Sequence, residues 1–320
     1  MVARADASLK ADARRASPAR RPSAGRGTRL NVVIGHVLPV LAVAAAILAV
    51  WYAAAVWLNA PQLVDRYGRE GQAWTASRLV ADAWAMERPV LPAPHQVVAE
   101  LRRTVLDVPP TSRRSLVYHG WVTLGSTLLG FALGAVLGCF LAIGIVQVPT
   151  LDRSLMPWIV ASQTIPILAI APMVIVVLGS MGITGLLPKA LISAYLSFFP
   201  VAIGMAKGLR SPEPLQLDLM RTYAATPTQT LLKLRLPASL PFLFASLKVA
   251  AAISLTGAIV GELPTGAQAG LGARLLTGSY YGQTVQIWAA LVAASLLAAA
   301  LVALVALVER LVVRRSGAPA

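Results

Sequence analysis

The chain has 320 residues, 57% of them hydrophobic and only 13% charged, with a mean hydropathy of +0.70. That composition excludes an ordinary soluble core and belongs to a membrane protein. The formal net charge of +15 does not indicate nucleic acid, because much of the basic excess flanks apolar runs and no folded basic domain is left to meet a duplex. Cys139 is the single cysteine and lies inside an apolar run, which excludes an intrachain disulfide and a cysteine metal centre.

Residues 1–30 are rich in Arg, Ala, Ser and Pro, lack apolar periodicity, and read as a disordered basic cytoplasmic tail. The apolar run Val32–Leu58 is longer than the about 7–15 residues of a signal-peptide core and suits a first transmembrane helix, placed at residues 31–58. Residues 59–118 mix both signs of charge and are expected outside the membrane, on the periplasmic side. Within them Val97, Val98, Leu101 and Val105 recur at helical spacing opposite Glu100, Arg102 and Arg103. This helix either lies on the membrane surface or packs on the bundle.

The membrane core is expected over residues 119–310. Its first span, Val122–Val146, carries Gly130, Gly134 and Gly138 on one helix face, a signature of close helix packing. The next, Leu155–Gly179, contains Pro157, Pro166 and Pro172. Gln163 and Thr164 sit near its middle, just before Pro166. Proline frees a backbone carbonyl, and at membrane depth such a group must face protein or a wet cavity. Gln163, Thr164 and Pro166 are therefore candidates for lining a pathway, the alternative being that the polar pair bonds a neighbouring helix. In the span Leu186–Met205, Lys189 is expected to snorkel outward, and Lys207 and Arg210 mark a cytoplasmic exit. The span Phe242–Gly261 holds Lys248 near its inner end, where snorkelling is again expected, and ends on Glu262. A glycine-rich outer loop, Pro264–Gln283, leads to the last span, Ile287–Val308, and a cytoplasmic tail at residues 311–320. The count is six spans with both ends inside.

Residues 211–241 form a polar, basic, helix-compatible stretch between two membrane-grade runs. It holds Asp218, Arg221, Thr222, Tyr223, Ala224, Ala225, Thr226 and Pro227, then Leu236-Pro237 and Pro241. A solvated loop explains its charge but not its length, its amphipathic pattern or the two closing prolines. This stretch resembles the cytoplasmic EAA loop of ABC importer permeases. Asp218 stands at the acid, and Arg221, Tyr223 and Ala225 fit the nitrate/taurine/aliphatic-sulfonate branch. Leu219-Met220 replaces Ala-Ala, and Ala224 stands where the family has Gly. The resemblance covers about Pro92–Arg310.

The resemblance implies an all-α polytopic membrane bundle of about six helices, of the type I importer permease kind, in the bacterial inner membrane. It implies a transport subunit with no catalytic residue, no metal and no cofactor of its own. ATP and Mg would be bound by a separate cytoplasmic ATPase, docked on a helix from Asp218 to Leu232. A periplasmic solute-binding protein would deliver a small solute of the nitrate, sulfonate, taurine or pyrimidine-precursor class to a homodimer of permeases. The family often has an acid near Glu262, which joins it to the pathway candidates, and Gly270-Leu271-Gly272 resembles the family's Gly-Leu-Gly. Ala224 keeps the docking contact small but does not supply a backbone angle reserved for glycine. Within a continuous helix, Ala224→Gly is expected to cost about 1 kcal/mol.

Other functional classes lack their residues. No phosphate-cradling P-loop, His-Glu-x-x-His or Gly-x-Ser-x-Gly is present, and His36, His95 and His119 are scattered along the chain as surface or interfacial residues. An intramembrane enzyme needs paired polar groups at depth, and Gln163, Thr164, Ser193 and Ser254 have no partner base. An ATP-independent channel or secondary transporter is the remaining alternative. It leaves residues 211–241 unexplained and predicts an internal repeat that the sequence does not show.

Overall fold

The computed structural model describes residues 26–264 and 269–316, so most of the basic tail and the last four residues lie outside the described residues. Every regular element among the described residues is helical. The chain forms two units, residues 1–53 and residues 54–320. The first contributes the opening part of helix α1 (Arg26–Glu70), and the second holds every other helix among the described residues.

Helix α1 runs on to Glu70 rather than stopping at Leu58. Packing explains the extension. Leu63 and Tyr67, one turn apart, are buried against Ala83, with Leu79 and Met86 beside them, on and next to helix α2 (Ala76–Ala85). Tertiary burial of an apolar stripe sustains helix where polar composition alone argues for loop. Asn59 is fully buried and satisfies four backbone groups. Its Oδ1 accepts from Val90 N (2.8 Å) and Leu91 N (3.2 Å), and its Nδ2 donates to Leu91 O (3.0 Å) and Ala83 O (3.3 Å).

Helix α3 (Pro94–Arg102) continues through a π-helical turn, Arg103–Asp107. It packs on the bundle: Leu101 lies against the core formed by Leu116, Leu271, Ala289 and Ala290. The inward face is rotated from the one the apolar spacing predicts. Val98 is 64% exposed, whereas Glu100 is only 8% exposed. Glu100 is tolerated inside because its carboxylate accepts from Arg103 at 2.8 Å.

Three long helices make the centre: α4 (Leu116–Gln147), α7 (Leu186–Leu209) and α10 (Leu236–Glu262). Helix α7 lies between the other two, and both of its faces meet small residues. A Cβ added to Gly130, Gly134 or Gly138 of α4 would stand 2.7, 3.0 or 2.7 Å from the carbonyl oxygens of Ala190, Ala194 and Phe198 on α7. On the other face, a Cβ at Gly257 of α10 would stand 2.7 Å from Ser193 Cα. Ser193 Oγ donates to Ser254 O at 2.7 Å. Lipid gives no hydrophobic drive between helices, so close backbone approach and short polar bonds supply the attraction. Gly138→Leu is expected to force α4 from α7 and destabilise the protein by about 1–3 kcal/mol or more. Thermal unfolding in detergent measures this, and a wild-type midpoint would show that the seam is not close-packed.

The span predicted over Leu155–Gly179 is two helices, α5 (Pro149–Ser162) and α6 (Ile167–Ser180), bent 98° at the break between them. The described residues thus hold five helices long and apolar enough to cross a membrane, or six if the bent pair counts as one. Beyond α7 come α8 (Pro214–Thr222), the short α9 (Pro227–Thr230) and a π-helical turn, Leu231–Arg235, leading straight into α10. Pro237 lacks an N–H, which removes the ordinary partner of the Lys233 carbonyl, and the wider π turn lies where that partner is missing. The stretch expected as outer loop contains helix α11 (Leu271–Tyr280), and α12 (Thr284–Ser316) closes the bundle.

Candidate functional site

The two ends of the bundle carry different chemistry. At one end, α8 buries none of its residues. Its N-terminus is held by a reciprocal bond, Glu213 N to Gln216 Oε1 at 3.2 Å. Asp218 and Arg221 pair at 3.0 Å while both remain exposed, a contact of little stabilising worth. Leu215, Leu219 and Tyr223 recur every fourth residue, so they share one face. They are 77%, 55% and 76% exposed. This short polar helix thus shows two leucines and a tyrosine along one exposed stripe.

The helix expected from Asp218 to Leu232 is broken. Ala224 has φ +52° and is the one non-glycine residue with positive φ among the described residues. Its N–H donates to Arg221 O (2.8 Å), and Ala225 N–H donates to Met220 O (2.9 Å). This is the Schellman arrangement that ends a helix on a left-handed residue, a position that favours glycine. Ala224 therefore adopts the backbone angle that the sequence alone argued against. Thr226 then caps the next helix: its Oγ1 accepts from Gln229 N at 3.2 Å, and its own N–H donates to Gln229 Oε1 at 2.9 Å. Pro227 fits the first helical position, whose N–H needs no partner. Leu236 packs with Ala142, Met205, Ala206 and Leu209, tying the elbow to the feet of α4 and α7. Pro237 follows inside α10, well beyond the elbow. Arg210 Nη2 and Asp152 Oδ2 pair at 2.9 Å and join the same ends of α7 and α5.

At the opposite end Glu262 is 0% exposed. Thr123 Oγ1 lies 2.9 and 3.0 Å from its two carboxyl oxygens, and Gly272 N–H donates to Oε2 at 2.8 Å. Thr123 Oγ1 in turn accepts from Leu271 N at 2.8 Å. Gly270 N–H donates to His119 Nδ1 at 3.0 Å, which leaves Nε2 to donate to Arg113 O at 2.9 Å. The Gly270-Leu271-Gly272 backbone is thus clamped by side chains from α4 and α10. Sequence reasoning placed Glu262 beside a pathway and missed His119 and Thr123. Their signal was present: His119, Thr123, Ser126, Thr127 and Gly130 follow helical spacing along α4.

Lys189 does not snorkel outward. It is 9% exposed, and its Nζ donates to Ala269 O at 3.5 Å. Lys248 is paired with Glu309 of α12 at 2.9 Å.

Gln163, Thr164 and Pro166 form the break between α5 and α6, and all three are exposed. Ser162 Oγ and Thr164 Oγ1 donate to the Ile159 and Ala161 carbonyls at 2.7 and 2.8 Å, local bonds that compete with helix continuation. Tyr195 of α7 donates to the Ser162 carbonyl at 2.5 Å and pins the corner. From Lys189 to Tyr195 is about 9 Å along α7 at 1.5 Å per residue, so this break and the Glu262 clamp are separate places.

Residues 134–317 match the family described as binding-protein-dependent transport system inner membrane component. That match covers more than half of the chain. The chain belongs to this family. It is an ABC importer permease of the nitrate/sulfonate branch, a multi-pass inner-membrane protein and a transport subunit rather than an enzyme. It is 33% identical over 195 residues to a probable ABC transporter permease protein of Haemophilus influenzae, covering 61% of this chain and 74% of the relative. It is 33% identical over 183 residues to the formylaminopyrimidine transport permease protein of Halalkalibacterium halodurans, covering 57% and 68%. It is 31% identical over 225 residues to the riboflavin transport system permease protein of Chloroflexus aurantiacus, covering 70% and 80%. The family implies two kinds of partner for the permease, an ATPase and a substrate-binding protein. The match begins inside α4, so α2 and α3 lie outside it.

Proposed function

We propose that two copies of this permease form the pathway of an importer for a small solute of the nitrate, sulfonate, taurine or pyrimidine-precursor class. The observation that carries the reading is the unpacked stripe of Leu215, Leu219 and Tyr223 on α8, ending on the left-handed Ala224. A separate cytoplasmic ATPase, which binds ATP and Mg, receives this stripe in a groove. Asp218, Arg221 and Thr222 flank the contact. Ala225, Thr226 and Pro227 fix the exit angle toward α10, so a shift of α8 reaches Leu236 and Pro237 through one continuous helical run. One docking helix per chain accounts for two permeases on two ATPase subunits. The solute enters from a periplasmic binding protein at the Glu262 end.

In this reading the exposed corner Gln163, Thr164 and Pro166 lines the pathway, and Glu262 serves it by holding the outer loop. Reconstituted transport with the cognate ATPase and binding protein tests the assignment, with the solute found from the ligand that raises the binding protein's melting temperature. Gln163→Leu is expected to lower uptake while leaving ATPase association intact. Unchanged uptake would remove the corner from the pathway.

A further inference from the structure

A hollow of about 460 Å³ opens beside the clamped loop. The π turn after α3, the segment before α4, helix α11 and the start of α12 enclose it. Three guanidinium groups line it, those of Arg103, Arg114 and Arg274, together with Thr104, Gln283 and Gln286. The carboxylate of Glu100, beside Arg103, is committed: it accepts from Arg103 through Oε2 at 2.8 Å and Oε1 at 3.1 Å. Among the described residues, no carboxylate lies within ion-pair distance of Arg114 or Arg274. Burial pushes the half-buried Arg274 below its ordinary pKa; Glu100 acts against that and Arg103 adds to it. The guanidinium still stays protonated at neutral pH. Gln286 Oε1 is buried and has no hydrogen-bond partner among the described residues.

Arg103 and Arg114 are exposed and Arg274 is half-buried, so their like charges repel one another across the hollow, and an anion seated there relieves that repulsion. Planar guanidinium donors match the oxygens of nitrate, sulfate or a sulfonate in paired hydrogen bonds. We propose that this hollow is a binding site for a small oxyanion at the mouth of the permease. A ligand that also carries an N–H or O–H satisfies Gln286 Oε1. The concave shape and the half-buried Arg274 favour a small ion over a protein surface. The inference rests on the proposed function only in placing this end of the bundle outward, where the site concentrates anionic solute at the entrance.

The test is isothermal titration of the purified permease in lipid nanodiscs with sodium methanesulfonate and with sodium sulfate. Saturable binding of either anion is expected. Arg114→Gln, at an exposed position that does not threaten folding, and Arg274→Gln should each weaken it by about tenfold or more. Arg153→Gln at the other end of the bundle should leave it unchanged. Absence of saturable binding, or equal affinity in Arg114→Gln, overturns the proposal. If Arg114→Gln instead reduces association of the binding protein while anion affinity is unaltered, these arginines serve a partner's carboxylates and the site is not an oxyanion site. The measurement uses neither ATPase nor uptake, so its failure leaves the importer reading standing, and a failure of ATPase docking leaves this one standing.

Discussion

Leu219→Glu is expected to abolish co-purification of the cognate ATPase while the permease still inserts. Leu219 lies on α8, outside the spans, and is 55% exposed, so the free protein loses little. In a docked groove the new carboxylate would be desolvated without a partner, at a cost of several kcal/mol, roughly. At about 1.4 kcal/mol per tenfold, association falls by some orders of magnitude. Ala224→Glu should act in the same direction from the elbow itself. Ala224→Gly reverses the expectation drawn from a continuous helix. At φ +52°, removing Cβ relieves about 1–2 kcal/mol of left-handed strain, against about 0.4–1 kcal/mol of added unfolded-state entropy. The net effect is a slight stabilisation of the elbow with docking retained, read as slower hydrogen exchange at the Ala225 amide. If the Leu219→Glu permease retains its ATPase in detergent, α8 is not the docking element.

Gly270→Val is expected to disrupt the outer end of the bundle. Gly270 has φ +123°, and an added Cβ would run into the Glu262 carboxyl group. A β-branched residue at this angle adds about 1–3 kcal/mol of backbone strain. Pushing Gly272 away also removes a donor from a fully buried carboxyl group, at about 1–3 kcal/mol or more. The summed loss is a large fraction of the typical stability of a folded domain. A lowered unfolding midpoint and polydisperse size-exclusion profiles are the expected readouts. Thr123→Val weakens the same clamp by removing the hydroxyl that meets Glu262 and accepts from Leu271 N–H, without adding bulk to the loop. Its effect and that of Gly270→Val should combine to less than their sum, because both break one network. Wild-type behaviour of Gly270→Val would mean that the loop is held elsewhere.

Glycines and charges are visible in the sequence without their partners. The Gly130, Gly134 and Gly138 stripe announces a close helix contact, but not that α7 fills it. Lys189 and Lys248 read as snorkelling cations because an isolated charge at a membrane end reaches for water. The structure gives them Ala269 O and Glu309, contacts across 80 and 61 residues of chain, and a local reading has no access to those distances. Glu100 reads as part of a solvated face because its partner Arg103 is local and the packing of α3 against α12 that turns it inward is not.

Amino-acid sequence by itself determined the class of protein, since the length and hydropathy of its apolar runs leave no soluble alternative and the stretch 211–241 carries its motif locally. Such features are legible because they depend on residues near one another in the chain. Tertiary structure alone decided other features. It broke Leu155–Gly179 into α5 and α6, because Tyr195 from another helix satisfies the carbonyl that Pro166 helps to free. The left-handed cap at Ala224 is closed by local bonds, to Arg221 O and Met220 O, and stays hidden in the sequence because alanine ordinarily continues a helix. Tertiary structure buried Glu262 under a glycine loop, because Thr123, remote from it in sequence, converges with the Gly272 amide to satisfy its oxygens.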